Sequence, residues 1–291
     1  MTDIKPLPLI MVHNVDYVYS NGTEALKQIS LNINQGEFIA IMGQNGAGKT
    51  TLIRTFNGLI RPTKGSIFIE GENIESKSIA TISKKVGIIF QNPMHQLFSN
   101  TLEDEIKFSL KNLNLNKEEI KLKVDQILEE FNLEKYRKRS PLNLSGGESK
   151  KLAVASIICR DPDILVFDEP TLGQDAKEID FFLGLIKNEL ERGKTVIMVT
   201  HNIEFTVEHV PRTILMGGGH IIADGPTQTI FTNEFLVSKS SLIMPQLYLF
   251  KQELQKIGID IPKENLRENE LINILENYLG KNFINLKEEK Q

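Results

Sequence analysis

Eight consecutive residues, Gly43-Gln44-Asn45-Gly46-Ala47-Gly48-Lys49-Thr50, fit the pattern G-x-x-x-x-G-K-[ST]. Its glycines let backbone N–H groups wrap a phosphate, and the turn opens a helix whose N-terminus adds partial positive charge. In that setting Lys49 reaches the β- and γ-phosphates of a nucleotide, the Thr50 hydroxyl binds Mg²⁺, and Thr51 extends the lining. A chance glycine turn is the bland alternative. The apolar run Phe38-Ile39-Ala40-Ile41-Met42 before it and the helical spacing of Leu52, Ile53 and Phe56 after it supply the strand–loop–helix context that chance would not.

A second stretch ends an apolar strand in two acids: Ile164-Leu165-Val166-Phe167-Asp168-Glu169. A phosphate loop needs a carboxylate at this kind of place for its magnesium, which Asp168 would hold, usually through water. Glu169, next to it, is placed to take a proton from an attacking water, a role worth ~10²–10⁴ in rate. Alone, a strand ending in acids is more often a solvated strand end; beside a phosphate loop it is a candidate active site.

These residues need elements to carry them. Short β-rich runs at Met11-Val12, Tyr17-Val18-Tyr19 and Ile29 to Ile33, with a turn at Ser20-Asn21-Gly22, predict a β-rich lobe before the loop. Gly58 is placed to stop the helix after it. From Thr101 to Arg160 the pattern is helical: Ile120, Val124, Ile127, Leu128 and Phe131 share one face. Strand-like runs at Ile164 to Phe167, Thr195 to Thr200, Thr213 to Met216 and His220 to Ala223 flank a helical stretch from Lys177 to Leu190, predicting a mostly parallel sheet. Beyond Asn233 the chain is rich in Leu, Ile, Lys and Glu, with helices expected over Leu247 to Ile257 and over Glu268 to Leu279, ending at Gly280.

Composition bounds the function. The chain has 291 residues, 34 Lys+Arg against 38 Asp+Glu, a formal charge of -4 and 40% hydrophobic residues. That suits one large or two modest folded domains and argues against a nucleic-acid partner. The single cysteine, Cys159, excludes an internal disulfide framework and fits a reducing compartment. The polar start Met1-Thr2-Asp3-Ile4-Lys5 lacks a signal-peptide pattern, and no apolar run approaches the ~20 residues needed to span a bilayer. His13, His95, His209 and His220 share no ligand spacing with Cys159, so no metal is assigned to them.

Leu144-Ser145-Gly146-Gly147-Glu148, ahead of the Asp168-Glu169 strand, resembles the signature of ATP-binding cassette (ABC) ATPases. The resemblance extends in the family's order to Tyr19 as the adenine-stacking aromatic, Gln91 as the Q-loop, Asp175 as the D-loop and His201 as the switch histidine. Tyr17 and Tyr19 alternate on a strand, and Tyr19 is chosen by its offset from the family motif. The resemblance implies ATP and Mg²⁺ as cofactors, with Glu169, His201, Lys49 and Gln91 in the catalytic group and Thr50, Gln91 and Asp168 around the metal. Nucleotide contacts are implied for Tyr19, Gly43 to Thr51, Ser145, Gly146, Gly147, Glu148 and Asp175. It also implies a second ABC ATPase chain, identical or paralogous, because each ATP lies between one chain's phosphate loop and the other chain's signature.

Three weaker stretches resemble the ATPase subunits of energy-coupling factor (ECF) importers, which include cobalt and nickel importers. They are Phe90-Gln91-Asn92-Pro93-Met94-His95-Gln96-Leu97-Phe98, Pro170-Thr171-Leu172-Gly173-Gln174-Asp175 and Leu242-Ile243-Met244-Pro245-Gln246-Leu247. The implied fold is an α/β P-loop NTPase cassette over 1–232, with a β-rich lobe, a mostly parallel sheet core and a helical subdomain at about 101–160. A C-terminal helical extension over 233–291 is a candidate dimerisation domain. The implied partners are a transmembrane coupling protein and a membrane substrate-binding protein, with the chain peripheral on the cytoplasmic face of the cell membrane. Micronutrient uptake is the implied role. The alternatives are an ATPase of another ABC importer or exporter, and a soluble ABC protein, whose usual two cassettes or long coiled coil this chain lacks. Met94 stands where the family commonly has an acid that meets a basic transmembrane partner; Glu103, Asp104 and Glu105 are the expected substitutes. Glu148 for Gln and Ser149-Lys150-Lys151 are further departures.

Overall fold

A computed structural model describes residues 7–259, 261 and 268–288. The polar start at Met1 to Lys5, and residues 262–267 and 289–291 of the expected extension, lie outside the described residues.

Two sheets form the frame. An antiparallel sheet of order β2-β1-β4-β5 is built from β1 (Ile10–Val18), β2 (Glu24–Ile33), β4 (Lys64–Ile69) and β5 (Glu72–Asn73). The runs at Met11 and at Tyr17 are one strand, not two; its register with β2 shifts between Val12 and Val18, and Tyr19 falls just beyond its end. A six-stranded sheet of order β10-β9-β3-β8-β7-β6 combines β3 (Phe38–Met42), β6 (Val86–Ile89), β7 (Ile164–Asp168), β8 (Thr195–Val199), β9 (Arg212–Gly217) and β10 (His220–Pro226). All its pairings are parallel except β10 on β9.

The central strands are buried along their whole length, so they read as unbroken apolar runs rather than alternating ones. Their side chains nevertheless divide by period two. Ile39, Ile41, Ile164, Val166, Ile197 and Val199 join one core with the antiparallel sheet and α1 (Lys49–Phe56). Ala40, Met42, Leu165, Phe167, Val196 and Met198 join the other, toward the helical elements.

Those helices are α3 (Leu102–Leu110), α4 (Lys117–Glu130), α5 (Gly146–Ile158) and α6 (Ala176–Glu191); the short α2 (Ile79–Ile82) precedes β6. On α4, the predicted face points inward through Val124, Ile127 and Leu128, and Phe131 closes it. Capping boxes start α4 (Asn116/Glu119), α5 (Ser145/Glu148) and α6 (Asp175/Glu178).

After β8 come α7 (Ile203–His209), then α8 (Thr227–Phe231), α9 (Glu234–Lys239), α10 (Gln246–Lys256) and α11 (Glu268–Glu288). Met244 packs against the main core and Leu247 against a small separate cluster of Leu254, Ile259, Ile261 and Leu271. Two acids of α7 tie the last helices down: Glu204 accepts from Gln246 N at 2.8 Å and Glu208 from Glu268 N at 3.2 Å. The expected stop at Gly280 does not occur, because α11 runs on to Glu288. A helical glycine costs only about 1 kcal/mol, and the apolar sequence pattern resumes at Phe283 and Ile284. Among the described residues no helix is long and apolar enough to cross a membrane.

Candidate active site

Parallel pairing aligns the carboxyl ends of β3, β7 and β8: Ile41 pairs with Val199, and Val199 with Asp168. Ligands of open α/β sheets bind at that edge. Here the chain leaves β3 into the glycine loop, β7 into Glu169, and β8 into Thr200 and His201.

The loop delivers an uncapped helix. Gly48 is the N-cap of α1 in a left-handed conformation, φ +98°, and makes no side-chain cap. Three other helices spend their first N–H groups on capping boxes; α1 leaves its own free, the condition for anion binding. The buried Lys49 folds back over the loop, donating to Gly43 O at 2.7 Å and Gln44 O at 3.0 Å, with His201 Nε2 at 3.2 Å. Burial lowers the Lys49 pKa, and Glu169 and Asp168 oppose that shift.

The acids face the loop. The Thr50 hydroxyl donates to Asp168 Oδ2 at 3.3 Å. Asp168 is buried, which raises its pKa, with Thr50 pulling the other way. Glu169 takes φ +52°, a costly conformation for a residue with a side chain, and is held there by Glu169 N donating to Val199 O at 2.8 Å. Its carboxylate accepts from His201 N at 3.3 Å and meets His201 Nδ1 through its other oxygen.

One cleft of roughly 580 Å³ gathers Tyr19, Asn45 to Thr51, Gln91, Asp168, Glu169 and His201. The Tyr19 hydroxyl bonds Thr51 Oγ1 at 2.8 Å and its ring meets Tyr17 edge to face at 4.9 Å. Tyr17 packs on the core while Tyr19, just beyond the end of β1, lines the cleft. Gly43 and Gln44 contribute carbonyls to Lys49 rather than wall. Thr23, Glu24, Ala25 and Leu172 also line the cleft and were not singled out from sequence. No local motif marks the first three; β2 reaches the loop only through tertiary packing.

Ser145, Gly146, Gly147, Glu148 and Asp175 are not among the residues lining this cleft. Ser145 caps α5: its hydroxyl accepts from Glu148 N at 3.3 Å, and Glu148 accepts from Ser145 N at 2.8 Å. Asp175 caps α6 by accepting from Glu178 N at 2.9 Å. The Tyr136 hydroxyl, then the Ser145 backbone, hold the Glu148 carboxyl down to about 2 from the usual 4.5. A depressed carboxylate stabilises the fold above its unfolded pKa and loses that contribution as pH falls toward its folded one. The gap in thermal midpoint between the parent and Glu148→Gln should therefore be full at pH 7 and shrink between about pH 4.5 and 2. Calorimetry across that range checks it, and a constant gap would deny the carboxylate this role.

The three acids downstream of Met94 each have an intramolecular partner. Glu103 pairs with Lys107 and Lys138, and these contacts hold its carboxyl down to about 2. Asp104 accepts from the Thr101 hydroxyl at 2.6 Å. Glu105 is buried and accepts from Phe98 N at 3.0 Å and Ser99 N at 2.9 Å. Met94, Phe98 and Phe108 are exposed instead.

A parallel sheet whose strand ends carry a glycine loop opening a helix, opposed by buried acids, defines the phosphate-loop NTPase class. The chain belongs to the ABC transporter family, whose profile matches residues 26–172. It is 37% identical to an energy-coupling factor transporter ATP-binding protein, EcfA2, of Clostridium perfringens, over 88% of this chain and 93% of that one. It is 41% identical to a provisionally named ABC transporter ATP-binding protein of Methanosarcina acetivorans, covering 88% of this chain and 42% of that one. The chain thus spans about two-fifths of that longer relative. Among solved structures it resembles CbiO1 of Clostridium perfringens, part of the ABC transporter complex CbiONQ, with a TM-score of 0.71 and 32% identity over 86% of this chain and 97% of that one.

Proposed function

We propose that the chain is the ATP-hydrolysing subunit of an ECF-type importer that energises uptake of a micronutrient, a vitamin or a cobalt or nickel ion. The observation that carries the reading is the separation within one chain of the Lys49–Asp168–Glu169–His201 cleft from the Ser145–Glu148 helix start. Each alone is half a site, so two cassettes pairing head to tail complete two. The resemblance to EcfA2 and CbiO1 favours the ECF class over other importers and exporters.

In this reading Tyr19 stacks on adenine, and N–H groups of the glycine loop and the uncapped start of α1, with Lys49, hold the phosphates. Thr50 and Asp168, with Gln91 beside them, fit Mg²⁺: they offer hard oxygen donors, and a buried carboxylate with a raised pKa gains from a cation. The bound ion would neutralise phosphate charge as it develops. Glu169 takes a proton from the attacking water, and His201, oriented by Glu169, faces the γ-phosphate. Ser145 and Gly147 of a second cassette close the site, with the α5 N-terminus toward the anion. The segment 1–232 acts as the nucleotide-binding domain, with its helical subdomain at about 101–160. The C-terminal helices, tied to α7 just past His201, serve pairing of the two ATPases.

The partners in this reading are a transmembrane coupling protein and a membrane substrate-binding protein, with this chain peripheral on the cytoplasmic face. A tagged pull-down from detergent-solubilised native membranes tests it. Recovery of a coupling protein with a small membrane binder is the expected result. Conventional paired permeases would move the chain to another transporter class, and ribosomal or DNA-bound material alone would overturn the transport role.

A further inference from the structure

The turn that follows Glu169 is weakly held by its own backbone. Its two internal bonds, Leu172 N to Glu169 O and Gln174 N to Thr171 O, measure 3.4 and 3.3 Å. Both lie at the long end of the hydrogen-bond range. Yet this turn leaves a residue at φ +52°, a conformation that persists only where its surroundings over-determine it. From β7 and β8 the restraint is Val199 and His201; beyond Glu169 it comes from another helix.

Lys150, five residues past Ser145 on α5, reaches across to the turn. Its ammonium donates to Leu172 O and, at 3.5 Å, lies against Pro170 O. Charge-assisted bonds of this kind are roughly twice as strong as neutral ones. The group is half-buried; burial lowers its pKa, and Glu178 and Glu169 raise it. The neighbouring Lys151 does something else, lying over the Phe181 ring at 4.8 Å. The start of α5 also closely approaches the start of α6 beyond that turn: a Cβ on Gly147 would fall 1.8 Å from Glu178 Oε1. Residues 170–178 thus run close along the first turns of α5, bonded to it through Lys150. A small, mostly apolar cavity between them is lined by Gln91, Lys150, Glu169 and Glu178.

We propose that Lys150 is a positioning residue for ATP hydrolysis, pinning the Pro170–Leu172 turn to the signature helix so that Glu169 faces the cleft and Leu172 forms its wall. The start of α5 and the turn after Glu169 then move as one unit when a second cassette closes. This inference rests on the reading of Glu169 as the base that activates water.

The test uses the complex recovered with the full chain and compares the parent, Lys150→Met, Lys150→Arg and Lys151→Met. ATP turnover, equilibrium binding of a fluorescent ATP analogue and thermal midpoint are read for each. Lys150→Met should lower kcat about 10- to 100-fold, the scale of a misplacement near 1 Å, with KM for ATP and analogue affinity within about twofold. Lys150→Arg, which keeps a charged donor, should restore most of kcat, and Lys151→Met should behave as the parent. Parental kcat in Lys150→Met overturns the proposal. So does a loss in which kcat, affinity and midpoint fall together and Lys150→Arg does not rescue, which marks a merely structural role. Should Lys150→Met not fold, Lys150→Gln is read by the same criteria. A parent complex that hydrolyses no ATP would instead overturn the reading of the cleft, and this inference with it.

Discussion

Replacing Glu169 by Gln is expected to lower ATP turnover by ~10²–10⁴-fold while leaving ATP bound. Glutamine keeps the side-chain shape and can still meet His201, so the local geometry that Val199 and His201 impose on residue 169 survives. It cannot accept a proton from water. Lys49, Thr50 and the free N–H groups of α1, which supply nucleotide affinity in this reading, are untouched. ATP should therefore accumulate in the cleft, and a pair closed over ATP should persist. Phosphate release at steady state, with retained nucleotide and oligomeric state measured on the same sample, checks the expectation. Parental turnover by this variant would remove Glu169 from the role of base.

Gly48→Ala is expected to lower ATP affinity about 100-fold, equivalent to near 3 kcal/mol. Two effects combine. The backbone at φ +98° is strained for alanine, a cost of order 1–3 kcal/mol. The new Cβ would also lie 2.3 Å from Ala25 O, closer than real Cβ contacts come, and a tight 3.1 Å from a Leu26 methyl. Ala25 O belongs to β2, whose neighbours Leu26 and Ile29 are fully buried, so the strand cannot yield cheaply. The glycine loop moves instead, and it is the loop whose N–H groups hold phosphate. Titration calorimetry with ATP reads the loss. Gly184→Ala is the control: this helical glycine has open space at its Cβ and sits on an exposed face of α6, so alanine should stabilise slightly. Parental affinity in Gly48→Ala would mean that the loop is looser than its contacts imply.

Much of this site was legible because its chemistry is local. The glycine loop, the acids after an apolar strand and the Ser145–Glu148 helix start each lie within a few consecutive residues. Their backbone conformations follow from glycine, from strand termination and from a Ser-x-x-Glu capping pattern. The amphipathic face of α4 was equally readable, since 3.6-residue periodicity survives into burial. Division of the β7 residues between two cores was not, because a strand covered on both faces carries no alternation. Tyr17 and Tyr19 show the same limit: two residues apart they would share one face of a strand, and only the end of β1 at Val18 lets Tyr19 reach the cleft.

The sequence by itself determined the phosphate-loop chemistry, the pair of acids and the order of elements that presents them, because each depends on short-range geometry. Tertiary structure alone decided which groups are already spoken for. Glu103, Asp104 and Glu105 look available in the sequence and are engaged by Lys107 and Lys138, Thr101, and the Phe98 and Ser99 backbone. Lys150 looks like a helix-surface lysine and instead reaches a turn 20 residues away. Thr23 to Ala25 reach the cleft through the packing of β2 against the loop. A charged or polar side chain takes whatever partner the fold brings within about 3 Å, and that partner comes from a segment to which local spacing is blind.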